Sequence, residues 1–417
     1  MNATAAERRY NKLSQAQVDL ICQRHERFFA CKPGGARASF AWCDLSGLSL
    51  KNRGLEDADF TAAILSDADL TGAILDKSNL FCADLQLANL TGASLRRVDL
   101  RGACLRGANL SGCDLYEADL REGALALPDK QAGLSYVEIS MRTSEATYAN
   151  LRGANLERSK LSGIQAMKAD FTDATMKSCK LVRANLKQAI MDNVDLAGAD
   201  LSGADFTGAS LKDAVLIGAK TDQMNTSQAD MSGILTDKAV GTDVTALPYG
   251  EMLHDHALWV DTLGRAGKPS TFDKADLRAL GSIRGLNLTA LSAKGAVFYG
   301  LDMAGVHLQG AHLEDADLRN CNLRGADLRG VRMARARLDG ANLEGAKLGA
   351  LKIDDTRLLP ADLRDTRLRG VNFADADLRL IRLDGADMSR ANLEGAHLKL
   401  EALEHVTCVG LRGRLAS

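Results

Sequence analysis

Carboxylates and histidines are the first side chains to question, because paired acids could move protons and clustered imidazoles could hold a metal. The 417 residues carry 54 Asp and Glu against 52 Lys and Arg, with seven His and nine Cys. His307 and His312 stand five apart, a spacing that would bring them together only if the chain placed them on one face. The cysteines are scattered, odd in number and without a CxxC pair, so neither a disulfide framework nor a cysteine metal knuckle is predicted. No GxSxG, phosphate-loop or dinucleotide fingerprint occurs. Whether any of these groups converge depends on the elements that carry them.

Those elements follow a period that is neither helical nor strand-like. From Phe40 to Leu125 every fifth residue is Leu or Phe, and the residue two places ahead is usually small, as in Ala58-Asp59-Phe60, Ala68-Asp69-Leu70 and Ala108-Asn109-Leu110. A second run in a shifted frame extends from Leu151 to Met231, with lapses at Ala166, Thr221 and Thr226. A third runs unbroken from Phe298 to Leu403, filled by Leu, Met, Ile or Phe. A chain that turns a corner after each five residues closes a square coil of about 20, and coils stacked at about 4.8 Å pair their backbones. Leu and Ala then face inward. Leu70, Leu90, Leu110, Leu186, Leu201, Leu318, Leu328, Leu343, Leu363 and Leu378 are predicted core residues. Aromatics at 4% and 38 glycines fit a core of aliphatic columns with many tight corners.

The A-(D/N)-L-x-x unit resembles that of the pentapeptide-repeat proteins, a family abundant in bacteria, and a bacterial source is expected from it. The resemblance covers about three-quarters of the chain. It implies an all-β solenoid, a right-handed quadrilateral β-helix, here with short α-helical caps. It does not imply one activity. In such a coil, residues five apart lie on adjacent sides, so His307 and His312 diverge. Asp327 is expected over His307 and Arg332 over His312, and no metal or cofactor is expected. Recurrent Asp and Asn are read as turn acceptors, not catalysts. Cys43, Cys113, Cys179 and Cys321 take the small inward slot.

Two modules of one plan are predicted. An amphipathic segment with Val18, Ile21, His25, Phe28 and Phe29 precedes the first run, and His256 with Trp259 precedes a later one. Aligning His25 with His256 puts Phe28 on Trp259 and, after one extra residue, Phe40 on Phe272. His25, Phe28, His256 and Trp259 are the expected cap contacts, since the open first coil of a solenoid needs a cover. The boundaries are 1–38 for the first cap and 39–240 for the first β-helix, with a loop interruption near 126–140. A linker and second cap occupy 241–271, the second β-helix 272–405 and a tail 406–417. After the interruption the coil is expected to resume near Met141.

Charge gives little direction to partners, since the net is −2. The segment 40–125 is acidic, with 8 Lys and Arg against 13 Asp and Glu, whereas 151–231 balances 10 against 10. Asp59, Asp99 and Asp119 should stack, with Asn79 between, as a candidate acidic binding stripe. Ion-pair ladders are expected along Asp57, Lys77, Arg97 and Glu117, and along Arg324, Glu344, Arg364 and Asp384. Some pentapeptide-repeat proteins resemble duplex DNA in shape and charge and bind type II topoisomerases in its place. The expected function here is a non-enzymatic scaffold that presents flat faces to a protein partner, with topoisomerase-directed DNA mimicry as the alternative. Direct nucleic-acid binding is not expected, and homo-oligomer formation is left open. Neither a signal-type apolar segment nor a stretch able to span a bilayer is visible, and a cytoplasmic location is expected.

Overall fold

The computed structural model describes residues 10–128, 137–238 and 248–416, the side chains of 125–128 and 137–140 excepted. The chain divides into two compact units, 1–237 and 238–417, each with its own apolar core.

One pentapeptide illustrates the regular repeat. Leu50 points inward and is fully buried. Its N–H donates to Asp69 O at 2.7 Å, one coil on, and Asn52 N–H donates to Thr71 O at 2.9 Å. Arg53 N–H returns to Leu50 O at 3.2 Å and closes a four-residue turn. Asn52, third in that turn, has φ +56°, which the turn requires. Glycine meets this demand without strain, and it occupies the equivalent place at Gly72 and Gly92. Leu87, Arg97 and Glu117 adopt the same left-handed backbone at a cost of about 1–2 kcal/mol each. Ladder hydrogen bonds and the buried column offset that cost.

The step between paired residues is 20, as in Asp59, Asn79, Asp99 and Asp119. The core is continuous along each unit. Phe40 and Phe60 stack with centroids 4.9 Å apart, and all ten predicted core leucines are buried. Cys43, Cys113, Cys179 and Cys321 are buried in the small slot.

At the start of unit 1, Asn11–Lys12 (β1) runs parallel to Cys43–Asp44 (β2). Helix α1, Gln15–Phe29, opens with a reciprocal capping box between Ser14 and Gln17 and buries Val18, Cys22 and His25. Phe28 and Phe29 are about half exposed, so Phe28 does not seal the coil; the buried stripe contains Cys22 in its place. Helix α2, Tyr249–Asp261, buries Tyr249, Leu253, His256 and Ala257, and Trp259 is partly covered.

Two hairpins leave the coils. In unit 1, Asp119 pairs with Lys160, a step of 41, because Gly123–Pro128 (β3) and Val137–Arg142 (β4) form an antiparallel ribbon outside the solenoid. Met141 pairs with Ala124 on this ribbon and is exposed. The coil therefore resumes at Glu145 and Ala146, not at Met141, and Leu125 already belongs to β3. Of the loop expected near 126–140, residues 129–136 lie outside the described residues.

In unit 2, Arg332 pairs with Asp362, a step of 30, because Leu351–Lys352 (β5) and Leu358–Leu359 (β6) are extruded. The run from Phe298 is thus interrupted without any loss of frame. Ile353 and Leu358, which hold leucine places in the sequence, are exposed. Both ribbons sit on left-handed glycines. A Cβ on Gly330 would lie 2.9 Å from Leu351 Cβ, and one on Gly102 would lie 3.2 Å from Gly123 Cα.

Smaller departures occur near the ends of unit 2. Thr271 pairs with Ser292, a step of 21, and the 3₁₀ turn Arg278–Leu280 absorbs the extra residue. At the carboxyl side, Thr407 and Arg412 still pair with Asp387 and Asn392, and Ala416 N–H donates to Ala396 O. The segment beyond 405 is therefore coil, where a tail was expected.

Candidate functional site

The surface of the coils is the candidate site, and its acids are largely committed to structure. Asp59 Oδ1 accepts from Thr61 N–H at 3.0 Å and from Thr61 Oγ1–H at 2.6 Å, the local turn expected of this slot. Asp99 and Asp119 accept the same backbone bond from Arg101 and Arg121, whose guanidinium groups also fork them at 2.6 and 2.7 Å. Lys160 approaches Asp119 to 3.8 Å. Burial works against the Asp119 carboxylate, but the Arg121 hydrogen bonds and charge prevail and hold its pKa below the ordinary value. The stripe does stack, yet two of its three carboxylates are neutralised within two residues.

This fork is a motif of the chain. Asp-Leu-Arg recurs at 276–278, 317–319, 327–329, 362–364 and 377–379, each time with the arginine pairing back to its aspartate. The spacing was visible as D-L-R, a signal missed by reading the aspartate slot alone.

The expected ladders form only in part. Arg97 binds Glu117 at 2.8 Å and Arg158 joins at 3.3 Å. Arg324 binds Glu344 at 2.9 Å, but the hairpin at 349–360 places Ala374, not Arg364, over Glu344. Arg364 instead forks Asp362. A denser lattice covers a neighbouring side. Asp317 accepts from Arg319 at 2.5 Å, Arg367 approaches Asp339 to 3.3 Å and Arg369 approaches Asp387 to 2.5 Å. Within it Arg337 is pushed down to about 10, first by burial and then by the charge of Arg319, with Arg367 adding to it.

His307 pairs with Asp327 and His312 with Arg332 in adjacent coils, and no group of three potential metal ligands occurs among the described residues. Burial pushes the Cys179 thiol up to about 12 and the Cys22 thiol to about 11, away from nucleophilic use. No helix among the described residues is long and apolar enough to cross a membrane.

Both cap histidines are buried and held by two backbone groups. His25 Nε2 lies 2.9 Å from Glu56 O, and its Nδ1 accepts from Ala38 N–H at 3.0 Å. His256 repeats both contacts, with Thr289 O at 3.2 Å and Ser270 N–H at 3.1 Å. Phe28 and Trp259 are also equivalent in backbone: a Cβ on Gly35 would lie 2.5 Å from Phe28 N, and one on Gly267 2.6 Å from Trp259 N.

Apolar exposure gathers beside the second hairpin. A groove of about 580 Å³ opens there, lined by Leu358, Leu380, Ile381, Leu398 and Ala402 together with Arg329, Asp377 and Arg379. Leu358, Leu380 and Leu400 are all more than half exposed.

The pentapeptide-repeat family model matches residues 54–92, 93–125, 149–188, 169–208, 283–320, 311–349 and 361–399. The gaps at 126–148 and 350–360 fall at the two hairpins, and the gap at 209–282 contains the last paired repeats of unit 1 as well as helix α2. Among solved structures, HetL, a pentapeptide repeat protein involved in heterocyst differentiation regulation in the cyanobacterium Nostoc sp. strain PCC 7120, is 29% identical. That match covers 48% of this chain and 83% of HetL, with a TM-score of 0.22. Rfr23 from the cyanobacterium Cyanothece 51142 is 30% identical over 32% of this chain and 86% of its own, with a TM-score of 0.18. QnrB1, a plasmid-mediated fluoroquinolone resistance protein, is 17% identical over 54% and 87%, with a TM-score of 0.19. No curated protein matches the sequence. With the repeat model covering more than half of its residues, the chain belongs to the pentapeptide-repeat family, whose fold is the right-handed quadrilateral β-helix.

Proposed function

We propose that the chain is a non-enzymatic scaffold, two capped β-helical modules that present flat faces and extruded hairpins to a protein partner in the cytoplasm. The cap and β-helix of the first module span 1–38 and 39–240, and those of the second begin at 241 and 272. The observation that carries this reading is the apolar groove beside β5 and β6, where Leu358, Leu380 and Leu400 are exposed. Catalysis needs a substrate cavity with convergent polar groups, whereas the leucine columns fill the coil interior. Asp317, Asp327 and Asp377 are each held by the arginine two residues on.

The test is capture of partners by the full chain from extract of its own source, at low and high salt, beside a variant lacking 351–360. Saturable capture that depends on the hairpin supports the scaffold, and recovery of a second copy of the chain would name the partner as itself. Turnover of a small molecule by the purified protein overturns it. Topoisomerase-directed DNA mimicry is the rival, disfavoured because Asp99 and Asp119 are forked by arginines.

A further inference from the structure

His25 is fully buried between two backbone groups whose roles are fixed. A carbonyl can only accept, so the nitrogen facing Glu56 O, Nε2, must carry a proton. An amide N–H can only donate, so the nitrogen facing Ala38 N, Nδ1, must be bare. The ring is therefore the neutral Nε2–H tautomer. His256 obeys the same logic between Thr289 O and Ser270 N–H. In each module the ring joins its helix to both the entry and the end of the first coil, 18 residues apart in one case and 19 in the other. The one-residue difference is the extra residue taken up at Arg278–Leu280.

We propose that His25 and His256 are acid-operated latches, one per module, and that proton uptake by either ring releases its cap helix from the first coil. A proton on Nδ1 would point at an N–H about 3 Å away, setting donor against donor in a buried joint. Release uncovers the apolar end of the solenoid, Phe40 in one module and Phe272 in the other.

The surroundings fix the sign. Around His25, burial opposes the charged ring, the Glu56 carbonyl, Glu56 and Asp57 favour it and Arg37 opposes it; the net is a pKa below 6.5. The Phe29 ring packs edge-on at 4.9 Å. Around His256, burial again outweighs the Thr289 carbonyl, and the Trp259 ring packs at 5.7 Å. Folding favours the neutral form, so the latch contributes its full stability above 6.5 and loses it as pH falls below that value.

Hydrogen–deuterium exchange of the full chain at pH 7.5 and 5.0, corrected for intrinsic rates, tests this. Exchange in peptides from 15–40 and 249–272 should accelerate about fivefold or more on acidification, while coils at 60–100 and 300–345 keep their protection. In His25→Gln, whose side chain does not titrate, 15–40 should lose its pH response and 249–272 should keep it. His256→Gln should show the reverse. Caps whose protection is independent of pH in the unmodified chain overturn the proposal, and so does an acid response at 15–40 that survives His25→Gln. If a variant fails to fold, the unmodified chain still decides through the contrast between caps and coils.

Discussion

Each pentapeptide places side chains of opposite fate next to each other, and Leu328 and Arg329 show how sharply. Leu328 is fully buried in a column with Leu308 and Leu348, while Arg329 lies outside, forking Asp327 at 2.7 Å. Leu328→Arg puts a charge among methyl groups with no partner, and should cost more than about 4 kcal/mol or prevent folding. Arg329→Lys keeps the charge but loses the fork at a site 39% exposed, and should cost no more than about 1 kcal/mol. Thermal melts of the two variants check the assignment, and similar midpoints would contradict it. The same neighbour relation explains what was missed: reading Asp99 and Asp119 as a free stripe ignores the arginine two residues later. Both residues were in plain sight, but the fork is a side-chain geometry that periodicity does not encode.

Helices and hairpins are where frame and fold part company. The cap alignment of His25 with His256 was legible because both rings occupy one helical stripe, and the structure places them in matching contacts. Phe28 was misplaced because apolar spacing alone cannot tell a buried helix face from an adjacent one. The hairpin at 349–360 was invisible for a simpler reason. It inserts ten residues, two whole repeats, and Ile353 and Leu358 keep the leucine rhythm while pointing to solvent. Removing 351–360 joins Leu348-Gly349-Ala350 to Ala361-Asp362-Leu363, which reads as one unbroken repeat. That deletion should fold with an unchanged β-rich circular dichroism spectrum and a Tm within about 5 °C of the parent. Loss of cooperative melting would show that the ribbon holds the coils together. The caps should behave oppositely. A fragment 241–417 retains α2 and should be soluble, whereas 285–417 exposes an uncovered coil and should aggregate. Equal solubility would remove the capping argument.

Across the whole molecule, the buried leucine columns were readable from the repeat, but the surface was not. Charge is where that matters most. The rival function requires negative charge along a rod, at intervals resembling phosphates, so that a topoisomerase accepts the protein in place of DNA. Residues 40–125 carry a net of −5, from 8 basic and 13 acidic side chains, while 151–231 carries none, from 10 of each. Even within the acidic segment, Arg101 and Arg121 fork two stacked carboxylates and Arg97 binds Glu117. The potential should therefore fade beyond the first coils, and the full chain should not inhibit gyrase supercoiling at micromolar concentration. A supercoiling assay decides the matter, run beside a variant with Asp59, Asp99 and Asp119 changed to Asn. Potent inhibition by the parent, lost in the variant, would establish that a short acidic patch suffices and that the scaffold reading is wrong. Inhibition equal in both would move the binding surface elsewhere, with the groove beside Leu358 and Leu380 the first place to alter.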